Sequence, residues 1–281
     1  MSELNILEII NEDPKLSSLP EIYFQIKEAI DNPASGFEDV EYIIKNDSAL
    51  SIKLLRIVNS SFYGFEEQVE AISHAISIIG TKQLADLALA TTILSVFSEV
   101  DPDSIDMNSF WRHNVSCGIC ARAIGAWDQK LNSEKLFLSG ILHDVGRLVM
   151  LENRPNLVNK ALDTHKETGK FLFLSERDSW GSDHAAIGAA LVEHWKLPAS
   201  LAEMVRYHHE PLEAPNLAYE CCIVNVADTI TKAMEFGSSG DCFVPSIEPA
   251  VWDKINLSPK NLDVLLDRVE TQFTDVIDFF I

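Results

Sequence analysis

An imidazole and a carboxylate stand side by side at His143-Asp144, inside the largely apolar run Leu138-Ser139-Gly140-Ile141-Leu142-His143-Asp144-Val145-Gly146-Arg147. Burying two such groups costs free energy unless both find partners, and a divalent cation is a partner that satisfies both. The same pattern, a polar group on an otherwise apolar helical face, recurs at His113 after Phe110-Trp111, His184 before Ile187 and Leu191, the pair His208-His209, and Asp228 after Val224 and Val226. Neutral imidazole together with carboxylate suits iron, manganese, zinc or a similar borderline ion, and a set of this size admits one or two ions. A pair of ions would activate water for attack on a phosphoester. A buried hydrogen-bond network without metal is the alternative that the residue types leave open.

The elements that must carry these groups read as helices almost throughout, because the apolar residues recur at spacings of three and four rather than two. Leu19-Pro20 opens a helix through Ile22, Ile26 and Ile30, which Asn32-Pro33 and Gly36 end; a second covers Val40 to Lys45. Asp47 or Ser48 caps a third, with Leu50, Leu54, Leu55 and Val58 as its core stripe. A fourth starts near Ser73, and Leu84 to Phe97 is apolar all round, as expected of a buried helix at a lobe junction. The expected division is therefore an N-terminal lobe over 1–100 and a C-terminal lobe over 101–281, joined at Asp101-Pro102-Asp103. In the second lobe the pattern predicts helices over 108–127, 134–153 and 157–168, one capped by Ser182 or Asp183 and running to Trp195, one from Pro198 to His209, and two more over 217–236 and 258–280. On a single helix over 134–153, His143 and Asp144 would diverge by about 100°, so an ion would have to sit in the wedge between them. Gly140 and Gly146 would let neighbouring helices approach closely there.

Composition narrows the function classes. Hydrophobic residues make up 47% of the 281, with 12 Gly and 11 Pro, which suits a folded globular chain. The 43 acidic residues against 22 basic ones give a net charge of −21, a field that repels phosphate backbones and anionic lipid; direct nucleic-acid and membrane binding are not expected. No apolar stretch reaches the roughly 20 residues of a membrane helix, and Met1 to Glu12 lacks the features of a secretory signal, so the expected location is the cytoplasm. Five cysteines, mostly within apolar helical patterns, suit reduced thiols. Cys117 and Cys120 have redox or metal spacing, but both fall on an apolar stripe and read as core. Arg147, four residues after His143 on the same helix face, is a weak phosphate-binding candidate, with a carboxylate partner or a surface position as the bland alternatives.

In the order His113, His143-Asp144, His184, His208-His209, Asp228 the chain resembles the HD superfamily of metal-dependent phosphohydrolases, including its HD-GYP branch, and is more closely similar to the HDOD family of bacterial signalling output domains. The resemblance covers roughly the whole chain. It rests on Leu54 to Gly64 and Ile72 to Gly80 in the first lobe, and in the second on Phe110-Trp111-Arg112-His113, Leu142 to Arg147, Asp183 to Gly188 and Tyr207-His208-His209-Glu210-Pro211. It implies an all-α fold, a helical HD-type domain with an N-terminal helical lobe packed against a C-terminal one. It also implies metal ligands at His113, His143, Asp144, His184, His208, His209 and Asp228. HD-GYP enzymes carry a lysine where Arg147 stands and an Asp-Gly-x-Gly-Tyr-Pro stretch after the histidine pair, where this chain reads Glu210-Pro211-Leu212-Glu213-Ala214-Pro215. The loop tied to cyclic-dinucleotide recognition is thus missing, and HDOD proteins bring no established catalysis to carry over. The expected function is a signal-transduction module with a metal-binding HD pocket that acts through signalling proteins. The alternatives are a metal-dependent phosphohydrolase acting on a nucleotide or another phosphorylated small molecule, and a metal-free helical scaffold.

Overall fold

The computed structural model describes residues 6–12, 16, 19–97, 105–128 and 130–281. The expected linker Asp101-Pro102-Asp103 and the first five residues of the N-terminal stretch lie outside them. The described elements are α1 (Ile6–Glu12), α2 (Glu21–Asp31), α3 (Phe37–Asn46), α4 (Ser48–Val58), α5 (Ile72–Ile79), α6 (Thr81–Val96), α7 (Met107–Gly125), α8 (Ser133–Leu142), α9 (Val145–Asn153), α10 (Pro155–Thr168), α11 (Leu172–Trp180), α12 (His184–His194), α13 (Ala199–Tyr207), a short 3₁₀ turn (Pro211–Glu213), α14 (Ala218–Ala233), α15 (Pro249–Ile255) and α16 (Pro259–Phe280). The fold is all-α, with no strand among the described residues. None of the described helices is long and apolar enough to cross a membrane.

The chain divides into two compact units, one of residues 19–98 with 268–281 and the other of residues 1–18 with 99–267. Each unit is built from two stretches of chain: the first 18 residues group with the later stretch and the last 14 with the earlier one. Trp195 accounts for part of this, because its indole Nε1 donates to Leu16 O across 2.9 Å.

In the unit of residues 19–98 the Asp47 side chain caps α4 by accepting from Leu50 N at 2.9 Å. The buried stripe of that helix is Leu50, Leu54, Ile57 and Val58, so Ile57 takes the core position that the spacing assigns to Leu55. Asn59 pins the loop after α4 by exchanging hydrogen bonds with Val69 N and O, at 2.7 and 2.8 Å. Helix α6 is buried on nearly every side, from Leu84 to Leu94.

The other unit is organised around α7, whose residues 113–125 are all buried. Helices α7 and α8 meet at glycines: a Cβ on Gly140 would lie 2.5 Å from Gly118 Cα, closer than atoms pack, so the two backbones touch with no side chain between them. A Cβ on Gly146 would likewise collide with His184 O, so α9 lies directly on the start of α12.

One expected element is corrected. The stretch 134–153 is two helices, broken at His143 and Asp144. The His143 ring Nδ1 donates to Gly140 O at 2.7 Å, the carbonyl that a continuous helix would offer to Asp144 N. Asp144 then turns out of the helix at φ −100°, ψ 2°, so the two side chains need not diverge as helix neighbours do. Helices α1, α11 and α15 fall where the apolar spacing assigned none.

Candidate metal centre

Breaks and helix ends set the positions of most of the seven residues. His113 and Asp228 come from inside α7 and α14; His143 and Asp144 fill the break between α8 and α9; His184 opens α12; His208 and His209 follow α13. Asp183 caps α12 by accepting from Ala186 N at 2.8 Å, which fixes the first turn and with it His184. All seven are brought together, and all are buried except His209, which is half-buried.

They form two groups, His113, His143 and Asp228 in one and Asp144, His184, His208 and His209 in the other, the ligand atoms of each lying within 4.8 Å of one another. Asp144 reaches both. Its Oδ1 stands 2.9 Å from His184 Nε2, while its Oδ2 stands 3.2 Å from His143 Nε2 and 3.7 Å from His113 Nε2. In the first group His113 Nε2 lies 3.0 Å and His143 Nε2 3.6 Å from Asp228 Oδ1; in the second His209 Nε2 lies 2.8 Å from His184 Nε2. Two ligand atoms each about 2.1 Å from one ion, subtending 90–110° there, stand about 3.0–3.4 Å apart. The observed spacings bracket that value.

The residues fit divalent ions on a second ground. The Nε2 atoms of His113, His143 and His208, with Asp144 Oδ2 and Asp228 Oδ1, are buried and make no hydrogen bond within the protein. Orphaned polar atoms in a core are costly, and here they face one another at close range without hydrogen-bond alignment. On His143 and His208 the opposite ring nitrogen is tied down: His143 Nδ1 to Gly140 O and His208 Nδ1 to Val205 O, each at 2.7 Å. His184 Nδ1 donates to Glu176 Oε2 at 2.5 Å, and the same oxygen accepts from His184 N at 2.9 Å. Each bond turns Nε2 inward, the arrangement in which an outer partner orients a ligating histidine.

Charged groups surround this set. Arg147 is buried, with Nε 3.2 Å from Glu176 Oε1, a terminal nitrogen 3.5 Å from Asp144 Oδ1, and another donating to Ser239 O. Its guanidinium is thus engaged by carboxylates, the bland reading of that residue, rather than open to a phosphate. Lys232 places Nζ 2.8 Å from Asp228 Oδ2 and 2.9 Å from Asp241 Oδ2. Burial raises the carboxyl pKa of Asp144, but Arg147, His143 and His184 together hold it well below its ordinary value. Asp228 is likewise lowered against the cost of burial, mainly by Lys232. Burial and the neighbouring His143 and His184 push His208 down to about 3. Burial and Arg147 oppose protonation of His184, yet Glu176 and Asp144 carry it up to about 9. Ionised carboxylates and neutral imidazoles are the forms that bind metal, so His143 and His184, both raised against the cost of burial by the neighbouring carboxylates, would give up a proton on taking an ion.

Glu176, Lys232, Asp241 and Arg177 belong to this environment and were missed by sequence reasoning. Glu176 shares a buried face of α11 with Leu172, Ser175 and Ser179, a face too polar for apolar spacing to single it out. Lys232 follows Asp228 by four residues, a readable helix pair. Arg177 binds Asp183 Oδ2 at 2.7 Å and Glu210 at 2.6 and 3.2 Å, and its guanidinium carbon lies 5.0 Å from the centroid of the Phe173 ring. Phe173 in turn stacks on His209, centroids 4.5 Å apart and planes 13° from parallel. Cys117 and Cys120 are buried in α7, and burial pushes both thiols up, as core cysteines. His165 is structural, donating to Lys170 O and accepting from Cys242 N.

A cavity of about 410 Å³ adjoins the centre, with His209, Asp228 and Lys232 in its wall.

The structure is similar to an HDOD domain protein of unknown function from Geobacter sulfurreducens, with a TM-score of 0.77 at 19% identity, covering 97% of this chain and 95% of that one. A protein from Shewanella amazonensis SB2B, named as a candidate phosphohydrolase, superposes with a TM-score of 0.75 at 22% identity over 100% of this chain and 99% of that one. An uncharacterised protein of Treponema pallidum (strain Nichols) is 29% identical over 224 residues, 79% of this chain and 42% of that protein. The chain therefore spans less than half the length of that curated relative. The HDOD domain profile matches residues 16–211, which takes in six of the seven gathered residues and leaves Asp228 beyond its end. With more than half of its length matched, and with that helical architecture, the chain belongs to the HDOD family.

Proposed function

We propose that this chain is a regulatory HDOD module of bacterial signalling that keeps an HD pocket able to hold one or two divalent ions, and that it acts in the cytoplasm through contacts with signalling proteins. The observation that carries the ion-binding part is the set of buried, unbonded atoms on His113, His143, Asp144, His208 and Asp228 facing one another. A hydrogen-bond network would pair these atoms; one or two cations, shared through Asp144, would satisfy them. Asp144, with one oxygen toward each group, is the shared ligand. Arg147 and Lys232 keep the carboxylates ionised and turned.

Elemental analysis of the full chain, purified without chelator and then supplied with iron, manganese or zinc, tests this. One to two ions per chain are expected. A chain that takes up none of the three is the metal-free scaffold instead.

A second reading, phosphoester hydrolysis, is favoured by one observation: the cavity reaches His209 and Asp228, so a ligand there would lie against the centre. Divalent ions held there would supply Lewis acidity toward a phosphoester and lower the pKa of water. In that role His209 and Asp228 bind at the cavity face, and Glu176 keeps the Nδ1 proton of His184 directed away from it. Turnover of phosphoesters by the metal-loaded chain, lost in Asp144→Ala, supports this reading; metal uptake without turnover leaves the regulatory one.

A further inference from the structure

Resting on the ion-centre reading above, we infer that the cavity beside the centre receives a phosphomonoester bearing a single flat apolar ring, in preference to a polyphosphate or a two-base cyclic dinucleotide. Three features of the cavity lead there.

Its wall joins the centre directly to aromatic rings. His209 and Asp228 line it together with Phe171, Phe173 and Phe243. Phe173 lies parallel to the His209 ring, and Phe171 continues the series, its centroid 5.9 Å from that of Phe173 and its plane 13° away. A ligand that fills the space meets aromatic side chains and the ion ligands at once. Flat apolar groups are favoured against such rings, face-on or edge-on, and an anionic end is favoured at the ions.

Its charge admits only a small anion. Lys232 is the one lysine or arginine among the described lining residues, and its Nζ is already held by Asp228 and Asp241. Asp241 and Glu248 add negative charge to the wall. One phosphate can be countered by ions at the centre. Each further phosphate would face carboxylates with no free cation to answer it.

Its size sets the third limit. A volume of about 410 Å³ lies near the lower end of the roughly 300–1,000 Å³ found for small-molecule sites. One ring and one phosphate fit within it, while a two-base cyclic dinucleotide is too large to enter whole.

The test is isothermal titration of the full chain loaded with Mn²⁺, using phenyl phosphate, inorganic phosphate, the Mn²⁺ complex of ATP, and cyclic diguanylate as probes. Phenyl phosphate is expected to bind about 10- to 100-fold more tightly than inorganic phosphate, the worth of burying one ring, and more tightly than ATP or cyclic diguanylate. Phe243→Ala should bring phenyl phosphate to within about threefold of inorganic phosphate while leaving metal content unchanged, on the same burial arithmetic. Phe171→Ala, at a residue that is already exposed, should act in the same direction without risk to folding. Equal binding of phenyl and inorganic phosphate, tighter binding of either larger ligand, or indifference to both substitutions overturns the assignment. Metal analysis of the same samples separates the two ideas: ions without ring preference sink the ligand class alone, and no ions sink the centre and this inference together.

Discussion

Glu176 accepts from His184 twice with one oxygen, from the backbone N at 2.9 Å and from Nδ1 at 2.5 Å, and so turns the far side of that imidazole toward Asp144. The contact joins α11, an element that apolar spacing does not reveal, to the first residue of α12. Glu176→Gln keeps the shape and one acceptor but removes the charge that makes the ring a good ligand. Metal affinity of the group containing His184 is expected to fall about 10- to 100-fold, read by competition against a chelating dye. An unchanged affinity would show that Glu176 serves folding only.

Asp144 and Asp228 should differ in the number of ions lost. Asp144 faces both groups through its two oxygens, whereas Asp228 faces one and gives its other oxygen to Lys232. Asp144→Ala should therefore empty the pocket, and Asp228→Ala should remove only the ion beside His113 and His143. Metal-to-protein ratios, with circular dichroism to verify folding, distinguish the two. Equal stoichiometry in both variants would deny Asp144 its bridging role.

The stack of Arg177, Phe173 and His209 gives a third expectation. Among the described contacts, neither ring nitrogen of His209 is tied to a carbonyl or carboxylate as in His143, His184 and His208, and its orientation rests on the Phe173 face. Phe173→Ala should weaken the ion at His209 by about tenfold, in the range for outer-shell partners, while Phe173→Tyr restores it. Loss of both ions in the alanine variant would point to general unfolding instead.

Gly140→Ala tests the helix contact. The new methyl would sit 2.5 Å from Gly118 Cα, a clash with backbone that no rotamer relieves. A loss of about 1–3 kcal/mol is expected, measured by denaturant titration, together with weaker metal binding as α8 and its His143 are pushed from α7. Metal binding that survives the full stability loss would separate the contact from the centre.

Much of this was legible from residue types. Asp47 and Asp183 announce two helix starts, and both side chains accept from the third residue on, as capping requires. His113, His184 and Asp228 stand out because each interrupts an apolar face, and burial follows from that interruption. The break at His143-Asp144 was not legible, because apolar spacing runs through it; what ends the helix is a ring nitrogen taking a carbonyl three residues back, a competition that periodicity does not register. Glu176, Lys232 and Asp241 were overlooked for a different reason. Charged residues on helices and loops are mostly solvated, and only the tertiary fold reveals that these three face inward toward partners 8, 4 and 9 residues away in sequence, respectively His184, Asp228 and Lys232.

The glycine contacts at 118/140 and 146/184 have one more effect. Because main chain rests on main chain at both places, the backbone spacing of Asp144 from His113 and from His184 does not depend on any side chain packed between the helices. An arriving cation would find its binding atoms already spaced, so capture would be governed by how fast the ion sheds its own water, and release would leave behind a cradle of the same dimensions, ready to be refilled.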